Sequence, residues 1–194
     1  MIEHIPELID SGIDSFKIEG RMKTALYVAT VARTYRKAID DYLESPELYR
    51  KNMDWYLDQI SNCTYRQFTT GFFFGKPDES AQIYDNNTYV KEYTYLGIIG
   101  ECTADGLYRI EQRNKFSVGE QIEIMKPDGR NIPVVVRRIV DEEGQEMQSA
   151  PHPKQVLYIE LAAAENGALS GAEVSEQDNH AAELYDILRR KEEE

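Results

Sequence analysis

The chain has 194 residues, 41% of them hydrophobic and 29% charged, the composition of a folded globular protein rather than a disordered one. Its formal net charge is −13, which argues against a protein that coats nucleic acid by bulk electrostatics. The charge is uneven: from Asp141 onward there are 14 acids against 4 bases, so residues 1–140 carry only −3 and can still hold a local basic face. No run of about 18 apolar residues is present and no charged-then-apolar leader is visible, so no membrane span and no export signal are expected. Two cysteines, Cys63 and Cys102, cannot build a disulfide framework or complete a metal site, and the expectation is a cytoplasmic protein.

The first elements have the rhythm of a parallel α/β fold. Ile5 to Gly12 reads as a short helix, with Pro6 in its first turn and Gly12 at its end. Ser15-Phe16-Lys17-Ile18-Glu19 alternates as a strand does, and Gly20 ends it. From about Thr24 to Leu43 a helical stripe of Tyr27, Val31, Tyr35, Ala38 and Tyr42 follows. A second helix starts at Ser45-Pro46-Glu47 and runs to about Ser61. A lone parallel strand cannot bury itself, so residues 1–77 are expected to be the end of a β/α-barrel-like domain whose earlier strands are missing, with a helical connector. The triplet Phe72-Phe73-Phe74 is expected to fasten that connector to a neighbouring surface.

Residues 78–92 are polar and turn-rich and read as a linker. Beyond them the period changes to two. Strands are expected at 95–102, 107–112, 121–125, 132–140 and 155–161, separated by Ala104-Asp105-Gly106, a loop at 114–119, Pro127-Asp128-Gly129 and Asp141 to Gly144. This predicts a small antiparallel β-barrel over 93–190. Residues 163–182 read as a flexible insertion, and 184–188 as either a closing strand or the start of a helix.

Catalytic residues are not identifiable by type and spacing: there is no phosphate loop, no metalloprotease motif and no defensible triad. His152 sits between two prolines as a rigid loop element, and neither cysteine has a visible activating partner. The best site candidates are Lys17, Glu19 and Arg21, at the end of the strand that would reach a barrel mouth; Arg21 there suits a carboxylate or phosphate. The alternative is a structural ion network of Lys17 with Glu19. Arg113 and Lys115, on a turn of the β unit, are weaker candidates for single-stranded RNA, with Arg109, Arg137 and Arg138 as added charge. No metal site is expected in this chain.

Several ordered stretches carry a resemblance. Ile2 to Ile9, Gly12 to Lys23, Tyr27-Val28-Ala29-Thr30, Tyr35 to Asp40, Thr69-Thr70-Gly71-Phe72, Glu111 to Gly119 and Ala150-Pro151-His152-Pro153 together resemble the collagenase-like peptidase family U32. That resemblance implies a protein about twice this long, with a β/α-barrel-like domain followed by a translation-factor-like β-barrel. It implies prephenate-dependent hydroxylation of tRNA wobble uridine, with an iron–sulfur cluster held by cysteines upstream of this segment. It also implies that Lys17, Glu19 and Arg21 line the barrel mouth. The expected partners are the missing N-terminal half and tRNA, and the chain by itself is expected to be inert. The alternatives are part of a collagenase-like peptidase and a stand-alone β-barrel binding module.

Overall fold

The computed structural model describes residues 1–63, 70–77, 93–164 and 182–192. It divides into two compact units, Met1–Glu92 and Tyr93–Glu194. The linker expected at 78–92 and all but the ends of the insertion expected at 163–182 lie outside the described residues.

In the first unit a 3-10 turn (Ile2–His4) leads into α1 (Ile5–Asp10), and a long α2 follows (Ala25–Glu44). Thr24 caps α2 by accepting the amide of Tyr27 at 3.2 Å. Ser45 caps α3 (Pro46–Lys51) by accepting the amide of Leu48 at 3.0 Å. The sequence predicts one helix from there to about Ser61, but α4 (Met53–Ser61) is a separate segment. The break is at Asn52, whose backbone sits at φ −93, ψ 5. Its side-chain amide donates to the carboxylate of Asp41 at 2.8 Å, and the Tyr56 hydroxyl donates to the same oxygen at 2.5 Å. A buried carboxylate needs such donors, and the interrupted helix delivers two of them. Ile2, Ile5, Ala38, Tyr49 and Tyr56 form the core, and the Tyr49 hydroxyl ties in the N-terminal turn by donating to the carbonyl of Ile2 at 2.7 Å.

Two expectations fail here. Residues 15–19 form no strand: their alternation suits a strand, but the described residues offer no neighbouring strand to pair with it. The three phenylalanines are not fastened down. Phe72, Phe73 and Phe74 are 77%, 51% and 59% exposed, and Phe74 makes T-shaped contacts with the rings of His4, at 4.5 Å between centroids, and Phe73, at 4.9 Å.

The second unit is a closed antiparallel barrel. Its strands are β1 (Tyr93–Cys102), β2 (Tyr108–Gln112), β4 (Gln121–Met125), β5 (Asn131–Val140), β8 (Val156–Ala163) and β9 (Ile187–Lys191), with short β3 (Phe116–Ser117), β6 (Glu146–Met147) and β7 (Ser149–Ala150) between them. The order β1-β2-β8-β5-β4-β9 returns to β1, so β9 closes the barrel. The closing strand expected at 184–188 therefore forms, but later, at Ile187–Lys191. The turn at Asp105-Gly106 is as expected, with Gly106 at φ +78.

Register brings the apolar alternation of all six strands inward. Ile99 pairs with Ile110, Ile110 with Leu157, Ile159 with Ile139, Val134 with Ile122, and Ile124 with Leu188. These residues form the core of the unit, each contributing about 1.5–3 kcal/mol by its burial. Within the expected loop at 114–119, Phe116 belongs to β3 and pairs with Ala150 of β7. It is fully buried as a plug. Gln112 holds this end of the barrel: its side-chain amide donates to the carbonyls of Asn114 and Ala150, and its backbone carbonyl accepts the amide of Lys154.

Candidate functional site

The first unit contains a cleft of about 470 Å³. Its floor comes from α2 and α4, through Tyr27, Val31, Tyr35, Leu57 and Ile60. Ile13 and residues 15–19 also line it, as do Met1 to Glu3 and Leu8. Most of this lining is apolar, with polar groups from Lys17, Glu19, Ser15, Glu3 and two tyrosines. That mixture suits a small ligand with an apolar body and a polar end.

Lys17 and Glu19 both line the cleft and both are exposed. Arg21 does not line it. The Arg21 amide donates to the Glu19 carboxylate at 2.9 Å, so the chain bends back on the glutamate just where the sequence places the rim. The structure therefore brings two of the three candidates to one cleft and leaves the third beside it. Gly20 is held close to α2: a β-carbon built there would lie 2.6 Å from a Val28 methyl.

Sequence reasoning reads Tyr27 and Tyr35 as packing residues and passes over Lys23. In the fold both tyrosines face the cleft, and the Lys23 ammonium lies 5.4 Å from the centre of the Tyr27 ring. Burial raises both phenols above their ordinary pKa, with smaller contributions from Cys63 for Tyr27 and from Tyr27 for Tyr35. They stay protonated at neutral pH and are able to donate a hydrogen bond to an anion. A helical stripe shows only that these rings leave solvent, not that a cleft opens above them.

On the barrel, Arg113 forms an ion pair with Glu111. Arg190, unnoticed in the sequence, pairs with Glu120 at 2.8 Å and donates to the carbonyl of Lys115 at 3.4 Å. The Lys115 side chain is exposed. Arg109 and Arg137 are also exposed, on β2 and β5, which β8 separates. Arg138 pairs with Glu146 at 2.8 Å. The guanidiniums of Arg113, Arg138 and Arg190 are each matched to a glutamate, which weakens any positive field they present.

Neither cysteine forms a disulfide. The Cys63 thiol donates to the carbonyl of Gln59 and is buried in the first unit, whereas Cys102 is exposed at the end of β1 in the second. Among the described residues no three His, Cys, Asp or Glu side chains gather as a metal-binding group. Two thiols in separate units do not fit the four-thiolate donor set of an iron–sulfur cluster. No helix among the described residues is long and apolar enough to cross a membrane.

Two family models match in tandem: peptidase family U32 over residues 1–83 and the peptidase family U32 C-terminal domain over residues 91–170. The tRNA hydroxylation protein P1 of Bacillus subtilis is 37% identical over 162 residues, covering 83% of this chain and 38% of that protein. The tRNA hydroxylation protein P of Escherichia coli is 33% identical over 165 residues, covering 81% of this chain and 34% of that protein. The chain thus spans little more than a third of the length of these relatives. A crystal structure of the C-terminal domain of a U32 protein from Geobacillus thermoleovorans aligns with a TM-score of 0.37 and 25% identity, covering 51% of this chain and 92% of that one.

Proposed function

Because the chain belongs to peptidase family U32, we propose that it is the C-terminal part of an enzyme that hydroxylates tRNA at the wobble uridine. The observation that carries this reading is the 37% identity, over 162 residues spanning both units, to a protein named for tRNA hydroxylation. The remaining partner is the N-terminal body that such relatives possess, and a tRNA substrate puts the assembly in the cytoplasm. The iron–sulfur cluster belongs to that body, since the thiols here do not make its donor set. When bound, such a cluster supplies electron transfer.

Within this division, the residues of this chain bind and orient. Lys17 offers an ammonium to the carboxylate of an anionic cosubstrate, and Tyr27 and Tyr35 lay an apolar floor beneath its ring while keeping hydroxyl donors available. Glu19 orients the rim by accepting the amide of Arg21, which leaves the Arg21 guanidinium to meet substrate from outside the cleft. On the barrel, Lys115 makes a phosphate contact, and Arg113 joins it only if RNA displaces Glu111.

A peptidase is the second reading that the family description allows. It requires an activated nucleophile or water, whereas the Cys63 thiol donates to the carbonyl of Gln59 and the Cys102 thiol to that of Thr103. The two readings separate in one experiment. The Bacillus P1 protein with its matched region replaced by this chain is assayed on unmodified tRNA and on gelatin. Uridine hydroxylation without gelatin cleavage is expected; gelatin cleavage without hydroxylation overturns the proposal.

A further inference from the structure

We infer that Lys115, His152 and Lys154 form one phosphate-binding surface on the barrel, which holds the backbone of an RNA strand without reading its bases. The inference rests on the proposal of a tRNA substrate and adds two residues to Lys115.

Barrel register makes this surface from two turns that are distant in sequence. Phe116 of β3 pairs with Ala150 of β7. The buried Gln112 side chain donates to the carbonyls of Asn114 and Ala150, and the amide of Lys154 donates to the Gln112 backbone carbonyl at 2.9 Å. The turns at 113–115 and 151–155 therefore lie side by side. Lys115, His152 and Lys154 are all exposed on them. Among the described residues, none of these three side chains has a hydrogen-bond or ion-pair partner. Within 111–120 and 149–155 the only carboxylates are Glu111 and Glu120, and each is already paired, with Arg113 and Arg190. The unmatched charge at this place is positive, on a chain of net charge −13. RNA that binds so acidic a chain needs a local surface of this kind.

The backbone at Lys154 points the same way. Its φ is +66, and among the described residues only Tyr185 is a second non-glycine residue at positive φ. A lysine gains nothing from that conformation itself. It is held by the bond to Gln112 and by the Gln155 amide donating to the His152 carbonyl at 3.2 Å. Pro151 and Pro153 stiffen the turn on either side of His152. The position from which the Lys154 ammonium reaches out is thus set in advance, which lowers the ordering cost of binding. Two ammonium groups and an imidazole N–H suit phosphate oxygens. Arg113 and Arg190, whose forks could read a guanine edge, are tied to glutamates.

The test is binding of a labelled, unmodified tRNA to the 194-residue chain, followed by fluorescence anisotropy over a salt series. Lys115→Ala and Lys154→Gly should each weaken binding roughly fivefold at about 0.1 M salt and lower the salt slope by roughly one. Lys154→Gly also relieves the strained backbone. Its urea midpoint should therefore hold or rise while tRNA binding falls, a split that a purely structural role for Lys154 does not produce. Lys154→Arg should retain binding. Arg109→Ala and Arg137→Ala, which remove exposed charge elsewhere on the barrel, should cost much less. Wild-type affinity and slope in a folded Lys115→Ala, Lys154→Gly double variant overturn the inference, as does the absence of salt-dependent tRNA binding by the wild-type chain. So do equal losses at Arg109 and Arg137. Polyglutamate that displaces the tRNA as well as polyuridylate of equal charge also overturns it and assigns the surface to an acidic protein. Hydroxylation by the chimera is a separate readout: an active chimera with normal binding by the double variant removes this inference alone, and lysine-dependent binding with an inert chimera removes only the functional proposal.

Discussion

The ammonium of Lys126 and the carboxylate of Asp186 lie 2.8 Å apart, with side chains only 3% and 2% exposed. Lys126 follows β4 and Asp186 precedes β9, so this pair pins the strand that closes the barrel. Glu183 joins it, with its carboxylate 2.8 Å from the same ammonium and its amide donating to Asp186. Burial lowers the Lys126 pKa, but hydrogen bonds to Asp186 and Glu183 and their charges outweigh it, and the net shift is upward. Lys126 therefore contributes stability below its unfolded value, lost as pH rises through the folded one. Asp186→Ala removes the buried partner of Lys126 and leaves its ammonium facing the largely exposed Glu183 carboxylate, which should cost up to about 3–5 kcal/mol. The double variant Lys126→Met, Asp186→Leu should recover most of that loss in urea unfolding of the barrel.

Asp41 sets an acid limit on the helical unit. Burial raises its pKa, yet hydrogen bonds from Tyr56, Asn52 and Lys37 and the charge of Lys37 overcome it, and the carboxyl ends below its ordinary value. Its contribution is present above the unfolded value of about 3.9 and disappears as pH falls through the depressed folded one. Thermal melts followed by far-UV circular dichroism should show helix stability falling in that acid range, and Asp41→Asn should flatten the dependence while lowering stability at neutral pH.

Gly97→Ala should damage the barrel. A β-carbon there would sit 2.7 Å from the carbonyl oxygen of Glu111 and 2.9 Å from a methyl of Ile110. The oxygen is backbone in a paired strand and cannot step aside. We expect a loss of about 1–3 kcal/mol by overpacking, read as a lower urea midpoint, whereas Cys102→Ser at the exposed strand end should be nearly neutral.

Lys17→Ala and Tyr35→Phe, tested in the chimera with the Bacillus upstream part, should reduce tRNA hydroxylation at limiting cosubstrate. Loss of a charged hydrogen bond at Lys17 costs about 1.5–3 kcal/mol, or roughly one to two powers of ten in affinity. The exposed position of Lys17 predicts an unchanged melting temperature. Arg21→Ala should have the smaller effect, since Arg21 does not line the cleft. Lys115→Ala should weaken tRNA binding uniformly and reduce the salt slope by roughly one.

The barrel was legible because each strand carries its own evidence: alternating Ile and Val in β4, β5 and β8, and turns such as Asp105-Gly106 between strands. Its locks were not legible, because Lys126 meets Asp186 and Arg189 meets Glu123 across about sixty residues of sequence, and only barrel register decides which charges share a site. The strand pattern at Ser15 to Glu19 was visible, but a strand exists only with its partner, which is not among the described residues. The phenylalanine triplet shows the same limit: hydrophobicity predicts a need for cover without saying which surface provides it. At the cleft, Lys17 and Glu19 were found by their place at the end of an expected strand. Tyr27 and Tyr35 were visible only as a helical stripe.

The most direct measurement is mass spectrometry of wobble-uridine hydroxylation in tRNA from a Bacillus strain lacking its own hydroxylation proteins. One culture expresses the 194-residue chain alone, and another expresses the chimera that carries this chain in place of the matched region of P1. Hydroxylated uridine restored by the chimera and absent with the chain alone is the predicted result. Hydroxylation by the chain alone, or none from a soluble, folded chimera, would contradict it.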